Sequence, residues 1–154
     1  MAHIRVRACA LIIENDAILL VEFDDETTGL HYNLPAGGAE PGESIIEAVK
    51  REAHEEANIE VDVGPLAFMY EYAPHANAYI YGEGHSLSLM FECKITRGVP
   101  ALPARPDPNQ TGVKWIDIDR LDEIVLFPNI KEQIRDYMDH RRCIELIEEH
   151  QLAK

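Results

Sequence analysis

Residues 37–59 read GGAEPGESIIEAVKREAHEEANI, and this stretch decides most of what the chain can be. Ser44 and Glu47 have the spacing of a capping box, in which each side chain accepts a hydrogen bond from the other residue's backbone N–H. Asn58 stands where the helix should stop, because asparagine is the usual substitute for glycine in the left-handed C-terminal position. The stretch therefore predicts a helix that begins at Ser44 and stops at Asn58.

Three glutamates lie close together on this predicted helix. With about 3.6 residues per turn they fall within an arc of roughly 100°, and they are Glu52, Glu55 and Glu56. Carboxylates at these spacings repel one another, so a nearby cation is needed to offset the repulsion. A hard divalent metal ion with oxygen ligands is the natural candidate, and a solvated acidic face is the alternative.

Turn residues precede the helix. Residues 34–38, LPAGG, predict the end of a strand that enters a tight turn, since glycine adopts backbone angles that other residues avoid. Pro41 and Gly42 predict a second turn. A loop, a helix and a loop would thus hold the acidic side chains in one place.

The stretch resembles the Nudix box, Gly-x5-Glu-x7-Arg-Glu-U-x-Glu-Glu-x-Gly-U, in which U is a bulky apolar residue. The positions that match at the required spacing are Gly37, Glu43, Arg51, Glu52, Glu55, Glu56 and Ile59. Ala53 is smaller than the usual apolar residue, and Asn58 replaces the last glycine. Neither departure removes a charged group. Residues 113–117 and Leu121 also look like the family's layout.

The resemblance implies an α/β fold, a Nudix-like α/β/α sandwich with a central mixed β-sheet, and the pattern of elements leads to the same layers. We expect one domain over residues 1–154, with the box at 37–59 and an amphipathic C-terminal helix at about 129–149. The predicted strands are 4–13 and 17–23, joined by a hairpin turn, one or two strands within 60–72, a central strand at 86–96 and a short one at 113–116. Residues 97–112, with four prolines, predict an irregular loop.

The resemblance also implies a chemistry, the metal-dependent hydrolysis of a phosphoanhydride bond. Metal ligands would be Glu52, Glu55, Glu56 and the carbonyl oxygen of Gly37, around Mg²⁺ or Mn²⁺. Arg51 would pair with a box glutamate and orient it, and Glu43 would brace the loop. The candidate catalytic residues are therefore Glu43, Arg51, Glu52, Glu55 and Glu56.

The general base stays open. Glu56 is the first candidate because the box already positions it, and Glu83 and Asp107 are alternatives on predicted loops.

Substrate-binding candidates lie outside the box. Arg5 and Arg7 share one face of the first strand, where they can contact phosphates or simply balance nearby acids. Tyr72 can stack on a base, although aromatic residues are more often core. Glu83, together with Pro74 and His85, follows a pattern seen in family members that act on ADP-ribose.

Three functions follow as hypotheses. The first is hydrolysis of the diphosphate linkage in a nucleoside diphosphate derivative, ADP-ribose or a similar compound. The second is a (d)NTP pyrophosphatase that clears modified nucleotides, and the third is a non-catalytic module that senses a ligand through a Nudix fold.

Charge and composition limit the classes of molecule that we expect the protein to bind. A formal net charge of −14 over 154 residues repels nucleic acid and anionic membranes, so we expect a small-molecule partner and neither of those. The three cysteines are scattered and odd in number, as in a protein of the reducing cytoplasm. The long apolar stripe of the C-terminal helix is a candidate homodimer interface.

Overall fold

The computed structural model describes residues 3–152. Its strands and α-helices in chain order are β1 Arg5–Glu14, β2 Ala17–Asp25, β3 Gly29–Asn33, β4 Ala36–Gly38, α1 Ile45–Ala57, β5 Glu60–Tyr72, β6 Ser86–Arg97, β7 Gln110–Asp117 and α2 Lys131–His140. Short 3-10 turns lie at Pro74–Ala76, Ile118–Glu123 and Glu149–Gln151. Within this part of the chain, no helix is long and apolar enough to cross a membrane.

The strands form one mixed sheet with the order β3-β2-β1-β6-β5. Strand β1 pairs antiparallel with β2 and parallel with β6, while β4 pairs with β1 and β7 pairs with β2. The prediction of a central mixed sheet is confirmed. Strand β6 lies between β1 and β5, as expected for the 86–96 segment.

A hydrophobic core lies on each face of the sheet, because alternate side chains of a strand point to opposite faces. On β1, Ala8, Ala10 and Ile12 pack in the cluster that contains α1. Cys9 and Leu11 pack in the other cluster, which contains α2. The two helices therefore cover opposite faces, which confirms the α/β/α sandwich.

The local predictions around the first hairpin and α1 are confirmed. Asn15 and Asp16 both have positive φ, of 50° and 60°, as a tight two-residue hairpin requires. Ser44 Oγ accepts from the Glu47 N–H at 3.1 Å and Glu47 Oε1 accepts from the Ser44 N–H at 2.9 Å. Asn58 is left-handed with φ of 59°.

The predicted C-terminal helix is too long. Helix α2 ends at His140 because Arg141 is left-handed with φ of 50°, and the Arg141 side chain pairs with Glu92 at 2.5 Å. The chain then runs along β5, where the Ile144 N–H donates to the Leu66 carbonyl at 2.8 Å. Ile144 and Ile147 are 51% and 60% exposed, so they do not extend the buried stripe of α2.

Candidate active site

The box glutamates lie where α1 faces β1 and β4. Glu52 and Glu56 are buried, with 8% and 7% of their surface exposed, whereas Glu55 is exposed. All three line a pocket of about 770 Å³, which we call the carboxylate pocket. Its other lining residues are Arg5, Arg7, Ala36, Gly37, Gly38, Glu40, Arg51, His54, Asn58, Pro103, Ala104, Arg105 and Asp107.

Arg51 connects the turn before α1 to the carboxylates. Its guanidinium donates to both oxygens of Glu43, from Nε at 2.8 Å and from Nη2 at 2.7 Å. Nη1 donates to Glu52 at 2.7 Å and to Glu55 at 3.2 Å. Nη2 also donates to the Gly38 carbonyl at 3.0 Å. Such bidentate, charge-assisted bonds fix geometry as well as adding energy, so Arg51 fixes the position of the loop before α1 relative to the helix.

The bond from Arg51 lowers the pKa of Glu43 to about 2 from an ordinary 4.5. A depressed carboxyl pKa stabilises the fold at pH values above the ordinary pKa, and this stability is lost as the pH falls toward the folded pKa. We therefore expect Glu43→Gln to lower the urea midpoint relative to wild type at pH 6, and this difference to shrink between pH 4.5 and pH 2. Denaturation curves across that range check it. A difference that does not vary with pH would contradict the assignment.

Glu56 is held by the backbone of β4 rather than by an arginine. Its Oε1 accepts from the Ala36 N–H at 2.8 Å. Burial raises its pKa to about 8, and the neighbouring carboxyl groups of Asp107 and Glu52 add to the rise. Burial also raises the pKa of Glu52, against the effect of Arg51. A cation bound among these carboxyl groups would offset both the cost of burying their charges and the repulsion between them.

Gly37 leaves the space that the Glu52 side chain occupies. A Cβ built on Gly37 would overlap the Glu52 carboxylate. Gly37 lies on β4 and not in the predicted tight turn. A glycine is required there by the close approach of the Glu52 side chain, since the φ of Gly37 is not in the left-handed region.

The donor set suits a hard divalent ion, although residues 3–152 hold no preformed group of three or more His, Cys, Asp or Glu ligands. Glu52 and Glu55 are instead directed at Arg51, and Glu56 at the Ala36 N–H. All three carboxylates border the same pocket as Gly37. Mg²⁺ keeps several waters and takes few protein carboxylates, so this open, oxygen-rich arrangement fits it once the glutamates turn toward the ion.

A second cavity, of about 330 Å³, opens beside the carboxylate pocket. We call it the aromatic cleft, and it is lined by Arg5, Arg7, Asn33, Tyr70, Tyr72, Tyr81, Gly84, His85, Ser86, Phe127 and Pro128. The Tyr72 hydroxyl donates to the Gly82 carbonyl at 2.7 Å and accepts from the Tyr81 N–H at 3.0 Å. The Tyr81 ring packs 5.6 Å from Tyr72 and 5.9 Å from Phe127. The cleft thus has fixed aromatic walls.

Two polar atoms at the cleft have no hydrogen-bond partner among the residues described. They are Arg7 Nε, a donor, and Asn33 Oδ1, an acceptor. Most buried polar atoms in proteins are paired, so these two are exceptions, and both belong to residues that line the cleft. Neither Asn33 nor Phe127 was singled out from the sequence, because each reaches the cleft only through the fold.

The structure brings most of the predicted residues to these two cavities. Arg5 and Arg7 border both, Tyr72 borders the cleft, and Asp107 borders the carboxylate pocket. Glu83 is exposed on the loop that follows β5, and it lines neither cavity. Gln110, which sequence reasoning missed, is buried beside Glu56, where its Nε2 donates to the Glu56 carbonyl at 2.9 Å.

Comparisons with known proteins agree with this fold. A family model described as NUDIX domain matches residues 3–140. The "Putative 8-oxo-dGTP diphosphatase" of Bacillus subtilis (strain 168) is 32% identical over 125 residues, which are 80% of this chain and 72% of that protein. The human "8-oxo-dGDP phosphatase NUDT18" is 34% identical over 85 residues, or 51% of this chain, and the match spans only 26% of the human protein.

Among solved structures, a NUDIX hydrolase from Nitrosomonas europaea superposes with a TM-score of 0.74 at 28% identity. The superposition covers 92% of this chain and 93% of that one.

Proposed function

This chain belongs to the Nudix family of hydrolases, and from that premise we propose that it hydrolyses the diphosphate linkage of a nucleoside diphosphate derivative. The observation that carries the proposal is the meeting of two cavities at Arg5 and Arg7, which line both. One cavity carries the box carboxylates and the other has aromatic walls. A nucleoside in the cleft would lay its diphosphate over the two arginines and into the carboxylate pocket.

Glu52, Glu55, Glu56 and the Gly37 carbonyl would hold Mg²⁺ or Mn²⁺, which when bound neutralises the diphosphate and acidifies a bound water. Hydrogen bonds from Arg51 hold the Glu52 and Glu55 side chains on the face of α1 that borders the carboxylate pocket. Glu56 Oε2, the oxygen that does not accept from Ala36, is our first candidate to take a proton from the attacking water. Asp107 stays the alternative base because it borders the same pocket.

The nucleoside would stack in the aromatic cleft. Tyr81 and Phe127 offer ring faces, and Tyr72 braces the loop that carries Tyr81. Arg7, which lines both cavities, would contact the phosphates where the cavities meet. Basic side chains are needed there, because a net charge of −14 repels an anionic substrate elsewhere.

A substrate panel tests the proposal. Purified protein is incubated with Mg²⁺ or Mn²⁺ and ADP-ribose, other nucleotide sugars, 8-oxo-dGDP, 8-oxo-dGTP or dGTP, and the products are identified by chromatography. We expect a nucleoside monophosphate as one product. Preference for a triphosphate would favour the (d)NTP pyrophosphatase, to which the name of the Bacillus subtilis relative points. If no diphosphate compound is hydrolysed, the proposal fails and a ligand-sensing module takes its place.

We expect Tyr81→Ala to raise KM for the preferred nucleoside substrate about tenfold with little change in kcat, because the loss of one aromatic platform removes base stacking. Steady-state kinetics check it. Tyr79→Ala is the matched control, since Tyr79 lies on the same loop, is 56% exposed and lines neither cavity. Equal KM values for wild type and Tyr81→Ala would place the base elsewhere.

We also infer a cytoplasmic protein, because Cys9, Cys93 and Cys143 are all free. A homodimer stays a proposal, and light scattering tests it. The shortened α2 leaves less apolar surface for such an interface than the sequence implied.

A further inference from the structure

Residues 98–109, which we call the proline loop, are attached to the C-terminal end of α1. A helix leaves its last carbonyl groups without partners inside the helix. Here the Ala57 carbonyl accepts from the Ala101 N–H at 3.0 Å, and the Glu56 carbonyl accepts from Gln110 Nε2 at 2.9 Å. The loop thus caps the helix that bears the box glutamates.

Gln110 bonds the helix and the loop at once. Its Oε1 accepts from the Asp107 N–H at 3.2 Å, and its own N–H donates to the Asp107 carbonyl at 3.0 Å. The side chain is buried, with 7% of the residue exposed. On the far side, the Asp24 N–H donates to the Asn109 carbonyl at 2.9 Å. These hydrogen bonds hold the loop at Ala101, Asp107 and Asn109, on either side of the segment 103–105 that lines the carboxylate pocket.

The proline loop brings an arginine to that pocket. Four arginines line the carboxylate pocket, namely Arg5, Arg7, Arg51 and Arg105. Arg51 is engaged by three glutamates, and Arg5 and Arg7 also line the aromatic cleft. Arg105 lines the carboxylate pocket but not the cleft, and it forms no ion pair within residues 3–152. Arg105 is exposed, and among the described residues it is the arginine that lines the carboxylate pocket alone and is not already paired with a carboxylate.

We propose that Arg105 binds the anionic group on the far side of the cleaved linkage from the nucleoside, and that Gln110 is the positioning residue that holds the proline loop in place. The inference rests on the proposed function and adds a substrate class. Nucleoside di- and triphosphates are preferred over nucleotide sugars, because they end in a free phosphate, whereas the distal phosphate of a nucleotide sugar is esterified and carries less negative charge for Arg105 to bind.

Arg105→Ala tests the substrate class. We expect it to raise KM for 8-oxo-dGDP about tenfold or more, the scale of one charge-assisted hydrogen bond, and to raise KM for ADP-ribose less, because the distal phosphate of ADP-ribose is esterified and carries less charge. Arg105→Lys should restore part of the loss. Arg97→Ala is the control, because Arg97 is exposed at the start of the same loop and lines neither cavity. An unchanged KM for 8-oxo-dGDP, or an equal rise for both substrates, overturns the assignment.

Binding of ADP with Mg²⁺, measured by titration calorimetry, separates this inference from the proposed function because it needs no turnover. A Kd about tenfold weaker for Arg105→Ala than for wild type supports the assignment even if the substrate panel fails. Equal Kd values overturn it even if the panel succeeds. Absence of ADP binding by the wild type also counts against it.

Two substitutions test Gln110. Gln110→Met keeps the volume but loses both side-chain bonds, and Gln110→Glu keeps the acceptor for the Asp107 N–H but loses the donor to the Glu56 carbonyl. In the ligand-free protein we expect amide hydrogen exchange at Ala101 and Asp107, whose N–H groups donate to the Ala57 carbonyl and to Gln110 Oε1, to rise about tenfold in Gln110→Met and less in Gln110→Glu. Thermal melting confirms that each variant folds, and wild-type exchange in both would overturn the positioning role.

The double variant separates positioning from general loss of stability. If Gln110 acts through Arg105, adding Gln110→Met to Arg105→Ala should raise KM for 8-oxo-dGDP no further than Arg105→Ala alone. Additive increases in KM would show that Gln110 acts by another route.

Discussion

Glu56→Gln is expected to lower kcat by about three orders of magnitude while the protein stays folded, which is the range of general base catalysis. Glutamine keeps the side-chain shape and can still accept from the Ala36 N–H through its Oε1. It loses the second anionic oxygen, and with it both the proton acceptor and one metal ligand. The loss should therefore appear in kcat more than in KM.

Steady-state kinetics and thermal melting measure the two effects separately. Glu60→Gln is the control, because Glu60 is exposed on β5 and lines neither cavity, and it should behave as wild type. A wild-type kcat in Glu56→Gln would show that Glu56 is not the general base, and it would leave Asp107 as the candidate base to test.

Gly37→Ala is expected to lower kcat/KM by about a hundredfold and to lower the melting temperature, because overpacking a filled site displaces its neighbours. The new Cβ would overlap the Glu52 carboxylate, which lies between Gly37 and Arg51. Displacing that carboxylate weakens its ion pair with Arg51 and also moves a candidate metal ligand out of position. Gly38→Ala is the matched control for stability, because its Cβ would meet the end of the flexible Arg5 side chain, which can move away.

A double-mutant cycle shows whether Glu52 is the group displaced. In the Glu52→Ala background, adding Gly37→Ala should cost much less stability than it does in the wild type, since the colliding carboxylate is gone. Chemical denaturation of the four proteins gives the coupling. Equal costs in both backgrounds would mean that the strain lies in the backbone of β4.

The parts of the fold that depend on neighbouring residues could be predicted from the sequence. The capping box at Ser44, the left-handed Asn58 and the 14–16 hairpin turn each rest on contacts within a few residues. The pairing of Arg51 with a box glutamate was also expected, although its bonds to Glu43 and to the Gly38 carbonyl tie in the turn as well.

The C-terminal helix shows how periodicity can mislead. The spacing of Ile144 and Ile147 continues the helical stripe, yet the chain turns at Arg141, and Ile144 pairs with Leu66 on β5. Pairing with a strand that lies far away in the sequence competes with the helix, and periodicity alone does not report it.

Residues that reach the site from distant segments of the chain could not be predicted from the sequence. Gln110 bonds to Glu56 across 54 positions, and Asn33 and Phe127, far apart in the sequence, both line the cleft. Asn33 directly precedes the 34–38 turn, so its place next to the box was the one signal available. Nothing local marked Gln110, because a single glutamine before a short strand has no distinctive spacing.

The most direct test of the central claim is the metal dependence of nucleoside diphosphate hydrolysis by the wild type and by Glu52→Gln. We predict no turnover with EDTA, release of a nucleoside monophosphate on adding Mg²⁺ or Mn²⁺, and a higher metal concentration for half-maximal rate in Glu52→Gln. Turnover that persists with EDTA, or a metal requirement identical in the two proteins, would contradict the account of the carboxylate pocket.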